Sequence, residues 1–226
     1  MRSTSGAAEG VADDRTTKAR IRDVAITRFA RDGIAATSLR AVAGDAGVAP
    51  SHVAHYFGSK TGLRAACDDH VAAMLRAQQE EVVGAGLDLD PLAALRRSRG
   101  GLPILAYLAR TLVEPSPTAD ALVDQLVADS ERYMAGLAAN GLITPSATPR
   151  TRAVLLTFWS LGALALHTQL ERLLGVSMTE PEENPAAFGE YAAATLELMG
   201  PGLLSRELAA RLADVFVPPE PPTEEK

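Results

Sequence analysis

Apolar residues recur three and four positions apart along most of the chain, and no segment alternates apolar with polar as a half-buried strand would. The spacing predicts helices. Ile21, Val24, Ala25, Ile26 and Phe29 mark one stripe in a helix over 14–32, which Asp32-Gly33 stops. Thr37 or Ser38 suits the N-cap of a second helix, with Leu39, Val42, Ala43 and Ala46 inward and Gly47 at its end. A short helix is expected over 50–57, with Pro50 in its first position and Gly58 beyond it. Ser59 suits the cap of a helix over 60–83. Further helices are expected from Pro91 to the Ser-Arg-Gly-Gly break, then over 103–113, 118–139, 149–174, 186–199 and 203–215. Residues 1–13 and the Pro/Glu-rich tail 217–226 carry no stripe and are expected to be disordered. The reading is an all-α chain without repeats: a three-helix unit over 14–59, then a larger bundle over 60–216.

Composition adds limits. At 226 residues and 47% hydrophobic, the chain can bury a sizeable core. Cys67 is the single cysteine, so an intrachain disulfide and a thiolate metal cluster are both excluded, which fits a reducing compartment. The longest apolar run, 153–166, is broken by Thr157, Ser160 and Gly162 and falls short of the roughly 20 residues that span a bilayer. The first thirteen residues lack the apolar stretch of a signal peptide. A soluble, cytoplasmic protein without a membrane partner is expected. The net charge is −6, but it is unevenly spread. Residues 1–64 hold ten Lys and Arg against six Asp and Glu, leaving twelve against twenty-two beyond. A basic front and an acidic back imply two tasks in one chain.

The front contains the informative pair. Two helices of about eight residues, joined by a turn containing Gly47, have helix-turn-helix spacing. Val48 would plug the angle between them, and Leu39, Val42, Val53 and Phe57 would pack with Phe29. That leaves Pro50, Ser51, His52, His55 and Tyr56 outward on the second helix, which in such units enters the major groove. Lys60 adds a full charge at the next helix N-terminus, where free N–H groups favour phosphate. Arg40 is placed to reach a phosphate or a guanine. His52 and His55 lack a third ligand nearby, so no metal is expected. His70 beside Asp68 and Asp69 reads as a solvated helix face.

The stretch "TSLRAVAGDAGVAPSHVAHYFGSKTGLRAACD" resembles the DNA-binding unit of the tetracycline-repressor (TetR) family of bacterial transcriptional regulators. Thr37, Ala43, Ala46-Gly47-Val48, Val53, Tyr56-Phe57, Ser59-Lys60 and Leu63 carry it, and it covers about residues 14–70. It is similar in particular to actinobacterial-type members, some of which control multidrug efflux pumps. The resemblance implies a helical homodimer that represses from a palindromic operator and is released by a small ligand. It implies DNA contacts at Thr37 or Ser38, Arg40, Ser51, His52, Tyr56 and Lys60, with Pro50 and His55 beside them. Two positions depart from the family. Ala49 stands where a capping serine is common, a difference of about 1 kcal/mol that Pro50 partly offsets. Ala54 stands where a tyrosine often touches the DNA backbone.

In the larger region, 149–174 is apolar nearly all round. Leu155, Trp159, Gly162, Leu166 and Leu170 share one face, and Ser160, Leu164, His167 and Glu171 another. One face suits a second subunit, the other a cavity. A lipophilic effector would find Tyr107, Gln125, Asp129, Tyr133, Trp159 and His167 as pocket candidates. The helices over 149–174 and 186–199 are expected to build the dimer. Two other readings stand beside the ligand-responsive repressor: a DNA-binding regulator that senses a protein partner or nothing, and a helical-bundle enzyme. No triad, ligand set or phosphate loop supports the last, and no cofactor is expected.

Overall fold

The structure, a computed structural model, describes residues 5–86, 103–114, 116–181, 183–208 and 210, with side chains from residue 16. The expected helix from Pro91 and the tail from 217 lie outside the described residues. Those residues form α1 (Ser5–Asp32), α2 (Leu39–Asp45), α3 (Pro50–Phe57), α4 (Lys60–Ala85), α5 (Ile104–Leu112), α6 (Pro117–Ala139), α7 (Pro149–Ala165), α8 (His167–Leu174) and α9 (Pro185–Leu203). The only pairing of strand type among them is an isolated antiparallel bridge between Ile143 and Leu204. The fold is all-α, as the spacing predicts.

Two compact units emerge. The first holds Met1–Leu75 and Gly101–Gln125; the second holds Arg76–Gly100 and Leu126–Lys226. The first is wider than 14–59, because the front of α4, α5 against α1, and the start of α6 fall in the same unit as the helix-turn-helix. Its core is Ile21, Ala25, Ile26 and Phe29 of α1, Val42 and Ala43 of α2, Val53 of α3, Leu63, Cys67 and Val71 of α4, and Tyr107 of α5. Of the stripe read from α1, Ile21, Ala25, Ile26 and Phe29 are buried, while Val24 is half-buried. In the second unit Leu137, Leu142 and Ile143 form a core joined by Val82, Val83, Tyr133, Met134 and Leu208. The Asn140 side chain donates to the Val83 carbonyl at 2.8 Å and fixes the end of α6 to α4.

Local sequence explains most boundaries. Gly47 and Gly58 take φ 65° and 69°, a left-handed backbone that ends α2 and α3 at low strain. At Gly62 a Cβ would run into the Phe57 carbonyl oxygen, so a side chain there would push the end of α3 off α4. Asn184 accepts from the Ala187 N–H at the start of α9 and donates to the Gly175 carbonyl, closing the loop between α8 and α9.

Four expectations change. Residues 5–13 are helical rather than disordered, because Ala7, Ala8 and Ala12 let a helix nucleated by the packed part of α1 extend backwards. The single helix expected over 149–174 is two, bent by 74° at Leu166. Leu166 takes φ −104° and ψ 24°, which breaks the helical ladder, and no proline or glycine at that position announces it. α9 continues through 200–202 to Leu203, past the expected stop at Met199. It ends where backbone pairing takes over: Thr144 N–H donates to the Leu203 carbonyl at 2.8 Å and Ser205 N–H to the Leu142 carbonyl at 2.9 Å. Lastly, Asp68 is buried, not on a solvated face with His70. Among the described residues no single helix is long and apolar enough to cross a membrane.

Candidate nucleic-acid interface

The α2–turn–α3 unit is built as its spacing implies. The Val48 N–H donates back to the Ala43 carbonyl at 3.0 Å, which tightens the turn. Val42 and Val53 are both fully buried and join the two helices, while Leu39 is half-buried. Pro50, Ser51, His52 and His55 are exposed along α3. Tyr56 is half-buried, with its ring 5.3 Å from that of His55, 6.5 Å from His52 and 6.3 Å from Phe57. α3 therefore presents a ridge of imidazoles packed on a phenol. Among the described residues no group of three metal-ligating side chains occurs. Ala49 makes no side-chain cap, as its chemistry dictates. Phe57, expected in the core, is only half-buried and lies under the Lys18 ammonium at 5.8 Å.

At α2 the structure chooses between the two hydroxyl candidates. Ser38 is exposed and its Oγ accepts from the Ala41 N–H at 3.1 Å, the N-cap bond. Thr37 is 2% exposed, and its hydroxyl donates to the Gly33 carbonyl at 2.8 Å. Thr37 is therefore removed from the DNA-facing set: it locks the turn between α1 and α2. Ser38→Ala is expected to lower stability by about 1 kcal/mol. A shift of the urea midpoint without a change in slope would register it. Arg40 is exposed on α2. Lys60 is half-buried, and its ammonium donates to the Ala35 carbonyl at 2.9 Å, so it braces the same turn.

Three features escaped the sequence reading. Lys18 on Phe57 is one. The second is Arg28, whose Nε donates to Asp45 Oδ2 at 2.6 Å and whose Nη1 donates to Asp32 at 3.2 Å, tying α1 to α2. Only the basic run of α1 hinted at either. An open groove of about 560 Å³ runs along this face, lined by Arg20, Asp23, Thr27, Arg31 and others. The third is a buried polar group. Tyr107 Oη donates to Asp68 Oδ1 at 2.6 Å, and Arg64 Nε stands 3.7 Å from Asp68 Oδ2. Burial raises the Asp68 carboxyl to about 6, against the opposing pull of the Tyr107 bond and Arg64. Burial also pushes the Tyr107 phenol and the Cys67 thiol up, and lowers His70.

The six effector candidates are divided between the two units. Tyr107 and Gln125 belong to the first unit and the other four to the second. Tyr107 is fully buried against Asp68 and the Phe29 ring, 6.3 Å away. Asp129 is 4% exposed and bound by Arg76, at 3.1 Å, and by Arg132. Both are occupied by partners in the chain rather than aimed into a cavity. Gln125 is half-buried near the middle of α6, and Tyr133 packs on the Leu137 core. Trp159 is 47% exposed on the same stripe of α7 as Leu155 and Phe158, at 66% and 58%. His167 is the first residue of α8, beyond the bend, so it no longer shares a helix face with Leu164. Helical spacing says which residues share a stripe, but not what covers it.

The comparisons with known proteins agree with this architecture. Residues 21–67 match the model of bacterial regulatory proteins of the tetR family, and residues 102–205 match that of the tetracyclin repressor-like C-terminal domain. The chain is similar to the HTH-type transcriptional regulatory protein RaaS of Mycobacterium tuberculosis (strain ATCC 25618 / H37Rv), 34% identical over 196 residues, which cover 85% of this chain and 89% of that protein. Among solved structures it resembles a gamma-butyrolactone receptor (ArpA-like protein) at 18% identity and a TM-score of 0.54, covering 91% of this chain and 97% of that one. It also resembles E. coli NemR in its reduced form, at 20% identity and a TM-score of 0.54, covering 77% and 94%. At such identities the structural likeness concerns the fold alone. The helix-turn-helix geometry, the two matched family models and the relative spanning most of the chain lead to one conclusion: this chain belongs to the TetR family of bacterial transcriptional regulators.

Proposed function

We propose that the protein is a homodimeric repressor that reads a palindromic operator through α3 and is released by a small lipophilic molecule. The observation that carries the DNA part is the exposed ridge of Pro50, Ser51, His52 and His55 over a fully buried Val53. Side chains at the front of such a helix meet base edges, while Ser38, Arg40, Tyr56 and Lys60 flank it as phosphate contacts. Two basic heads need a dimer to stand one helical turn apart, about 34–36 Å. The exposed apolar stripe Leu155, Phe158 and Trp159 on α7 supports that dimer. The lipophilic effector, and an efflux transporter as the controlled gene, rest on the resemblance of residues 14–70. A regulator that senses a protein partner is favoured by one observation, the sealing of Tyr107 and Asp129.

The test is a duplex selected from a random pool by the protein, titrated by fluorescence anisotropy at several salt concentrations. A steep fall of affinity with salt is expected. His52→Ala should raise Kd by about tenfold and relax the sequence preference, in line with about 1–3 kcal/mol for a base contact. Tyr56→Phe should weaken all sequences alike. If both variants and added salt left Kd unchanged, α3 would not be the reading head.

A further inference from the structure

The turn between α1 and α2 is held by side chains from three parts of the first unit. Thr37 closes it from within, its hydroxyl donating to the Gly33 carbonyl at 2.8 Å. Lys60, the first residue of α4, donates to the Ala35 carbonyl at 2.9 Å across 25 positions. Glu114, just past the end of α5, accepts from the Ile34 N–H at 3.2 Å across 80 positions. Adjacent residues of one six-residue turn, 33–38, are thus gripped by a carboxylate and an ammonium from distant elements. Gly33 takes φ 84° there, so the chain reverses sharply just before α2. α5 is itself fastened to α1 by the Phe29–Tyr107 ring contact and to α4 by the Tyr107–Asp68 bond. α6 starts three residues after Glu114.

We propose that Glu114 is a positioning residue for DNA binding: with Lys60 it clamps the α1–α2 turn and so fixes the attitude of α2 and α3 on the first unit. Glu114 is outside the ridge offered to DNA and carries the wrong charge for a phosphate. Its effect on affinity must pass through the Ile34 N–H. A backbone N–H needs an acceptor, not a charge, which separates this role from general electrostatics. The clamp also gives α5 and the start of α6 a defined grip on the reading head, so displacement of either would loosen it. The proposal rests on α2–α3 being the DNA-binding unit.

Three variants of the full-length protein test it: Glu114→Ala, Glu114→Met, which keeps the volume without an acceptor, and Glu114→Gln, which keeps an acceptor oxygen. On the selected duplex, Glu114→Ala and Glu114→Met are expected to raise Kd about tenfold. The slope of log Kd against log salt should stay that of the wild type, since no phosphate contact is removed. Glu114→Gln should bind within about threefold of wild type. Hydrogen exchange of the free protein should show Ile34 faster in the alanine and methionine variants and protected in the glutamine variant. Wild-type affinity in Glu114→Met would overturn the clamp, as would an Ile34 exchange rate indifferent to all three changes. So would equal weakness of the glutamine and methionine variants. Should Glu114→Ala not fold, the methionine and glutamine pair decides. Failure of the wild type to select any duplex would instead sink the DNA reading, and the exchange measurement would still judge the clamp.

Discussion

Asp68→Ala is expected to lower the stability of the protein by about 3 kcal/mol at neutral pH, the size found when one partner of a buried charged group is removed. Asp68 is 5% exposed and Tyr107 is fully buried. Deleting the carboxylate leaves the Tyr107 hydroxyl without the acceptor it reaches at 2.6 Å. It also leaves the Arg64 guanidinium, itself 7% exposed, without the nearby negative charge. The same carboxylate gives stability a pH dependence whose sign follows from the direction of its shift. Burial raises it from 3.8 to about 6 in the folded protein, so between those values the folded form holds a proton that the unfolded chain has released. The contribution is fully present below about 4 and is lost as pH rises through about 6. Asp68→Asn keeps an oxygen for Tyr107 and removes the titration. It should therefore flatten the pH 4–6 limb of stability measured by urea unfolding, and destabilise less than alanine at pH 7. An unchanged limb in Asp68→Asn would show that another group sets it; His70, which burial lowers, would give a limb of the opposite sign.

Phe158→Glu combined with Leu155→Glu is expected to turn the proposed dimer into a monomer at micromolar concentration and to weaken binding to the selected duplex by at least about a hundredfold. The two residues and Trp159 sit at i, i+3 and i+4 on α7 and are about half or more exposed in the isolated chain. Leu173 and Leu174 on α8 and Leu198 on α9 are also more than half exposed. A stripe of that size facing water is unusual for a protein that stays single. Placing two carboxylates in a desolvated apolar contact opposes association strongly, because burying an unpaired charge is costly. The loss on DNA would exceed that of any base contact, since two linked heads gain affinity from each other's binding. Sedimentation at several concentrations measures the first effect and anisotropy the second. A double variant that sediments as a dimer would place the interface elsewhere.

Particular residues show where local chemistry is sufficient. Ser38 as N-cap, Pro50 in the first turn of α3 and Gly58 beyond it each act within four residues, so their roles can be read in order along the chain. The burial of Ile21, Ala25, Ile26 and Phe29 on α1 and of Val42 and Val53 follows from period, which picks the inward face whatever covers it; Tyr107 of α5, far along the chain, lies on Phe29. Thr37 shows the limit. As a cap candidate it equals Ser38 in chemistry, and only the turn geometry sends its hydroxyl to Gly33 instead of outward. Asp129 and Tyr107 show it again. Each is a polar residue beside an apolar stripe, which suits a pocket or an internal bond equally well. Arg76 and Asp68 decide the matter from 53 and 39 positions away.

By itself, then, the sequence determined the helical class, the helix-turn-helix with its exposed α3 ridge, and the family. The first two are carried by spacings, caps and breakers that act over one or two turns; the family is carried by the resemblance of residues 14–70. The tertiary structure alone decided the bend at Leu166, the sealing of Tyr107 and Asp129, and the grip of Glu114 and Lys60 on the turn before α2. These depend on which distant groups meet. A hydrogen bond or a buried charge is settled by the partner within about 3 Å, whatever its distance along the chain.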